Sequence, residues 1–148
     1  MERLERTQLI HRPRREVFAF FERAENLEQI TPAFLHFSIT TPLPIEMKTG
    51  ARIEYRLRLF GIPIRWRTRI DIYEPDIRFV DLQVRGPYRF WRHLHTFEET
   101  PEGTLMRDVV DYEIPLGPLG ELAGRLFVRR TLSRIFDYRS RRIAEIFE

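Results

Sequence analysis

The chain contains no cysteine, and among its 25 basic residues there is a single lysine, Lys48. Without cysteine there can be no disulfide, no thiolate metal ligand and no cysteine nucleophile. No apolar run approaches the roughly 18 residues that a membrane-spanning helix needs. The charged start Met1-Glu2-Arg3-Leu4-Glu5-Arg6 lacks the apolar stretch of a secretion signal. A cytoplasmic protein with no stable membrane insertion is expected. Neither a G-x-x-x-x-G-K-[ST] phosphate loop nor a G-x-S-x-G nucleophile elbow occurs. Internal repeats and low-complexity segments are also lacking. The arginines are spread along the chain among 22 acids, for a net charge of +3. They form no cluster with a base-reading motif, so no nucleic-acid partner is expected.

What is present suffices for a core. Of 148 residues, 43% are hydrophobic and 32% charged. That balance predicts one soluble domain over residues 1–148, as a monomer or homodimer.

Taken in order, Glu2 to His11 reads as a strand with Leu4, Leu9 and Ile10 as its apolar members. Pro13 then opens a helix whose apolar side is Val17, Phe18, Phe20, Phe21 and Ala24. A second short helix covers Asn26 to Ile30 and ends at Thr31-Pro32. Phe34 to Thr40 alternates and predicts a strand; Pro42 to Gly50 is a loop. Ala51–Leu59 and Ile64–Ile72 alternate cleanly around Gly61-Ile62, which predicts a hairpin. A tight turn there would set Arg52 against Asp71, Glu54 against Arg69, Arg56 against Arg67 and Arg58 against Arg65. Ile77 to Val84 is the next strand, followed by a turn at Arg85-Gly86-Pro87. After another turn at Thr100 to Gly103, Thr104 to Ile114 forms the last strand, broken by Pro115 to Pro118. The Gly117 to Gly120 segment reads as a structural turn. From about Leu119 to Phe147 the spacing becomes helical. Leu122, Leu126, Leu132, Ile135, Phe136, Ile143, Ile146 and Phe147 supply the apolar stripe.

The most unusual stretch is Arg89-Phe90-Trp91-Arg92-His93-Leu94-His95-Thr96-Phe97. As a strand it places Trp91, His93, His95 and Phe97 on one face. Two imidazoles between aromatic rings point to a semi-polar cavity. The neighbouring strands offer Asp81 and Gln83 on one side and Asp108 and Tyr112 on the other. Antiparallel neighbours bring these together, so the histidines have ready hydrogen-bond partners.

The layout is α+β: a strand, two short helices, a short-linked antiparallel meander and a long terminal helix. This order resembles the helix-grip fold of the START/Bet v 1-like (SRPBCC, polyketide cyclase/dehydrase and lipid-transport-like) superfamily. The carrying residues are Arg12-Pro13 with Val17-Phe18, Pro63-Ile64-Arg65-Trp66 and Arg78-Phe79-Val80-Asp81. Gly86-Pro87-Tyr88, Trp91 to Phe97, Gly103-Thr104 with Asp108, and Tyr112-Glu113-Ile114-Pro115-Leu116-Gly117 complete them. They resemble a bacterial branch sometimes attached to epimerase-like domains. The resemblance implies a curved antiparallel sheet of about seven strands wrapping a long C-terminal helix. It also implies a cavity for a hydrophobic or amphipathic small molecule, lipid-, sterol- or polyketide-like. On that reading Tyr55, Trp66, Asp81, Gln83, Trp91, His93, His95, Phe97, Asp108, Tyr112, Leu132, Ile135 and Phe136 line the site. No cofactor and no metal is expected, although two histidines at i, i+2 beside Asp81 or Asp108 could chelate. Two alternatives stand beside simple binding. One is a cyclase/dehydratase-type enzyme using His95 and Asp108 as an acid/base pair. The other is a regulatory adaptor whose arginine-rich sheet face or final helix binds an acidic partner.

Overall fold

A computed structural model describes residues 1–59, 61–115 and 121–148, with the side chains of 121–123 excepted. Seven strands form one antiparallel sheet: β1 (Glu2–Ile10), β2 (Ser38–Ile39), β3 (Arg52–Leu59), β4 (Ile62–Glu74), β5 (Arg78–Arg85), β6 (Phe90–Thr100) and β7 (Gly103–Glu113). Their order is β1-β7-β6-β5-β4-β3-β2, a meander closed by β1 returning beside β7. Helix α1 (Arg14–Phe21) and 3-10 turns over Ala24–Ile30 and Ala33–Leu35 lie between β1 and β2, and α2 spans Glu121–Ile146. This is the expected helix-grip architecture. No helix among the described residues is long and apolar enough to cross a membrane.

Alternation decides which face is buried. On β6, Trp91, His93, His95 and Phe97 are buried, and on β7 Met106, Asp108, Val110 and Tyr112. α2 covers that face with Leu132, Phe136, Arg139 and Ile143, at steps of four, three and four residues. Below it, Phe18, Phe21, Phe79, Phe97 and Met106 form one apolar cluster. Phe18 meets the rings of Phe79 and Phe97 edge-on. Ring edges against ring faces suit the aromatic quadrupole.

Several local expectations are corrected. Leu9 points outward on β1, because Leu4 and Ile10 set an even-numbered inner face. Phe34 to Thr40 is not a strand. Ala33–Leu35 is a 3-10 turn after Pro32, His36 takes a left-handed conformation, and only Ser38–Ile39 pairs with β3. Leu126 is exposed, since it lies to the side of the stripe through Leu132 and Phe136. The hairpin register is two residues tighter than expected, running out to Leu59 opposite Ile62 with Gly61 at φ 77°. Arg52 therefore faces Arg69, Glu54 faces Arg67 and Arg56 faces Arg65. Glu54 ion-pairs with Arg67 across the strands, Nε to Oε1 2.8 Å. Of the expected break before α2, residues 116–120 lie outside the described set, as does the side chain of Leu122.

One turn is sterically demanding. Gly103, the first residue of β7, has φ 142°, and a Cβ there would run into the Ile10 carbonyl oxygen and the His11 backbone. That backbone approach is fixed by Thr104 Oγ1 donating to the Arg12 carbonyl at 2.8 Å. Gly103→Ala will lower unfolding free energy by about 2–3 kcal/mol. Gly50→Ala, with φ 91° but open space around it, will cost about 1–2 kcal/mol. Urea titration of both variants checks the ranking.

Candidate functional site

Between α2, the 3-10 segments and the inner sheet face is a cavity of about 170 Å³. Its wall is mostly apolar and aromatic. Phe37 and Tyr55 stand on one side with ring centroids 4.9 Å apart. Trp66, Tyr88 and Trp91 stand on another, Trp66 perpendicular to Trp91 at 5.2 Å. Leu132, Ile135 and Phe136 of α2 form the roof. Burial pushes the Tyr55 and Tyr88 phenols upward, so neither adds charge to the wall.

The polar end is a cluster of five side chains: Asp81 on β5, His93 and His95 on β6, Asp108 on β7 and Arg139 on α2. In the sheet, His93 lies directly opposite Asp81 and His95 directly opposite Asp108. The hydrogen bonds run diagonally instead. His93 Nε2 is 2.7 Å from Asp108 Oδ1, and His95 Nε2 is 2.7 Å from Asp81 Oδ2. Facing Cβ atoms are too close for two extended side chains to meet end to end, whereas diagonal neighbours remain within reach. The crossed pattern stacks the imidazoles at 3.6 Å, with Phe79 stacked on His95 at 4.0 Å. His95 Nδ1 is 3.3 Å from Asp108 Oδ1, near enough for attraction but out of line for a hydrogen bond. Arg139 approaches Asp108 Oδ1 to 3.4 Å, with its guanidinium against the rings of Phe21 and Phe136.

The electrostatics follow from this geometry. Burial works against ionisation of Asp108, but Arg139 and both imidazoles outweigh it and hold the carboxyl well below its usual range. Burial likewise opposes ionisation of Asp81, and His95 and His93 overcome it. Burial and the neighbouring His95 lower His93, which favours its neutral form. Burial also opposes charge on His95, but its two carboxylate neighbours raise its pKa.

The expected site residues divide into three groups. Tyr55, Trp66, Asp81, Trp91, His93, His95, Leu132, Ile135 and Phe136 are on the cavity wall. Asp108, Phe97 and Tyr112 are buried behind it, Asp108 supporting the histidines and the other two within apolar clusters. Gln83 is engaged elsewhere. It clamps the β5–β6 turn, donating to the Tyr88 carbonyl at 2.8 Å and accepting from the Tyr88 amide at 3.1 Å. Asp108 lies 3.3 Å from His95, the partner expected for it, and hydrogen-bonds His93 at 2.7 Å. Arg139 is the residue that the pattern reading missed. It sits three residues after Phe136 and four before Ile143, on the apolar stripe, and that position is the signal that could have found it. Tyr88, Thr68 and Phe37 also line the wall without having been expected there.

Asp81, His93 and His95 bring one donor atom each within 4.8 Å of one another. His95 Nε2 is already hydrogen-bonded to Asp81 Oδ2 at 2.7 Å, and the two imidazoles are stacked on each other. As placed, the trio suits hydrogen bonding better than metal coordination.

Residues 10–137 match the family described as polyketide cyclase/dehydrase and lipid transport. The chain belongs to that family. No curated protein sequence matches it. Solved structures share its fold. The Zhui aromatase/cyclase from a Streptomyces species has a TM-score of 0.76 at 14% identity, over 97% of this chain and 92% of that one. A Chromobacterium violaceum protein has a TM-score of 0.75 at 12% identity, over 99% and 96%. A nucleoside-diphosphate sugar epimerase from Corynebacterium glutamicum has a TM-score of 0.67 at 24% identity, over 96% of this chain but only 28% of that one.

Proposed function

We propose that the protein binds a hydrophobic or amphipathic small molecule in the cavity between α2 and the sheet. The observation carrying this reading is the wall itself, aromatic on its sides with one hydrogen-bonding end. Such a combination gives affinity through apolar burial and orientation through a few polar groups. Membership of the family supports it. The volume narrows the range. An engineered cavity of about 150 Å³ takes benzene, so about 170 Å³ suits one ring with small substituents. A sterol or a full polyketide chain would require the walls to part. Toluene, added to the purified protein, will raise the thermal midpoint and perturb the fluorescence of Trp66 and Trp91. Absence of both effects with every small aromatic tried would remove the binding reading.

One observation supports a second reading, an enzyme of the cyclase/dehydratase type. Asp108 orients His93 through Nε2 at 2.7 Å, leaving Nδ1 as a basic lone pair. The structurally similar Zhui protein is named an aromatase/cyclase. In a dehydration, His93 Nδ1 would take the proton α to a carbonyl, and the resulting imidazolium would return it to the β-hydroxyl, which leaves as water while the carbon–carbon double bond forms. His93→Gln without loss of turnover, once a substrate is in hand, would end this reading.

A further inference from the structure

We infer that the ligand is a neutral aromatic alcohol, phenol-like, whose hydroxyl donates to the acceptor edge formed by Asp81 and His93. This inference rests on the cavity being a binding site and specifies what the polar end selects. Asp81 is the most open member of the cluster, with its side chain 20% exposed against 3–9% for the other four. Its Oδ2 is held by His95. Among the described residues, Oδ1 has no hydrogen-bond partner. His93 donates from Nε2 to Asp108, and its Nδ1 is 3.8 Å from Asp81 Oδ2, too far for a hydrogen bond. Neither Asp81 Oδ1 nor His93 Nδ1 is among the atoms both unpaired and sealed from solvent. The cluster therefore turns two acceptors toward the cavity.

The donors of the cluster are mostly turned inward. Arg139 Nη2 is directed to Asp108. Arg139 Nε, His95 Nδ1 and Trp66 Nε1 are shut away from solvent. An incoming carboxylate would meet the carboxylate of Asp81, the most open group of the cluster. An ammonium would meet the Arg139 guanidinium on the cavity wall and would shed its hydration in an aromatic enclosure. A neutral hydroxyl carries a donor and no charge, so it meets the open Asp81 carboxylate without either cost. The aromatic wall and a volume near 170 Å³ set the remainder of the ligand at about one ring.

The test compares four probes of one shape at pH 7 by titration calorimetry: toluene, p-cresol, 4-methylbenzoate and 4-methylbenzylamine. A hydrogen bond to a charged acceptor predicts p-cresol about ten- to a hundredfold tighter than toluene. The acid and the amine should bind more weakly than toluene. In Asp81→Leu the p-cresol advantage should fall to within about threefold of toluene. Should that variant fold poorly, Asp81→Asn serves, with a reduced advantage expected because a neutral acceptor replaces a charged one. Toluene equal to p-cresol, or tighter binding of the acid or the amine, would overturn the inference and leave the cavity reading intact. An undiminished p-cresol advantage in both variants would also overturn it. No binding by any of the four would remove the cavity reading and this inference together.

Discussion

Asp108→Ala will cost about 3–5 kcal/mol of folding stability at pH 7, the scale seen when one partner of a buried charge network is deleted. The aspartate is 3% exposed and meets three groups, His93 at 2.7 Å, His95 at 3.3 Å and Arg139 at 3.4 Å. Without it, Arg139 keeps its charge at 8% exposure with no other acidic contact among the described residues. The double variant Asp108→Leu with Arg139→Met should recover most of the loss, because a packed apolar pair avoids the unpaired charge. Urea unfolding of wild type, the single variant and the double variant closes the cycle. A single-variant loss below about 1 kcal/mol would show that the cluster is not wired through Asp108.

The same site predicts a pH dependence. Asp108 titrates well below its usual value in the folded protein, so its contribution is complete above the unfolded value of about 4. It disappears as pH falls through the lower, folded value. The stability gap between wild type and Asp108→Asn should therefore be flat near neutrality and close progressively below about pH 4. The two histidines act in opposite senses. The raised pKa of His95 contributes stability below about 6.5 that is lost as pH rises through its folded value. The lowered pKa of His93 contributes stability above about 6.5 that is lost as pH falls. Single His→Gln variants should accordingly show pH-dependent stability differences of opposite slope around that range.

The inner face was legible because alternation is a property of the backbone. Once β6 is a strand, Trp91, His93, His95 and Phe97 must share a side, and the buried face follows. Hairpin register was less accessible. A shift of two residues keeps every side chain on its own face, so the pattern of Arg52 to Arg58 could not distinguish the two alignments. Ser38–Ile39 carried another ambiguity. Leu35, Phe37 and Ile39 alternate, but the backbone break at His36 belongs to its left-handed conformation, which alternation does not encode. Within the site, sequence placed the histidines beside carboxylates but could not choose the partners. Directly opposite and diagonal contacts differ by a lean of the side chains, and only the packed structure selects the diagonal. Arg139 was missed for a different reason. A charged residue on an apolar stripe is ordinarily assigned to the solvent side, whereas here a buried aspartate on the opposing sheet retains it.

Trp91→Ala will lower stability by about 3–5 kcal/mol, and added indole will restore part of that loss. Trp91 is 8% exposed and packs against Trp66, Tyr88 and Tyr112, with ring centroids at 5.2, 4.8 and 6.3 Å. It also belongs to the cluster of Leu4, Val110, Leu132 and Phe136 that joins the sheet to α2. Removing its ring strips contacts from every one of these neighbours, and the vacated space runs into the cavity that Trp91 already lines. The resulting void is apolar on most sides, so it gains little from water and can be refilled by a ring of the lost shape. At a concentration one hundred times its dissociation constant, indole should return about 2.7 kcal/mol. Thermal denaturation of wild type and variant with and without indole gives the comparison. An indole-induced rise in midpoint that is larger in the variant identifies Trp91 as a movable wall of the cavity. Equal rises in the two proteins would place the Trp91 void apart from the cavity and restrict that side chain to core packing.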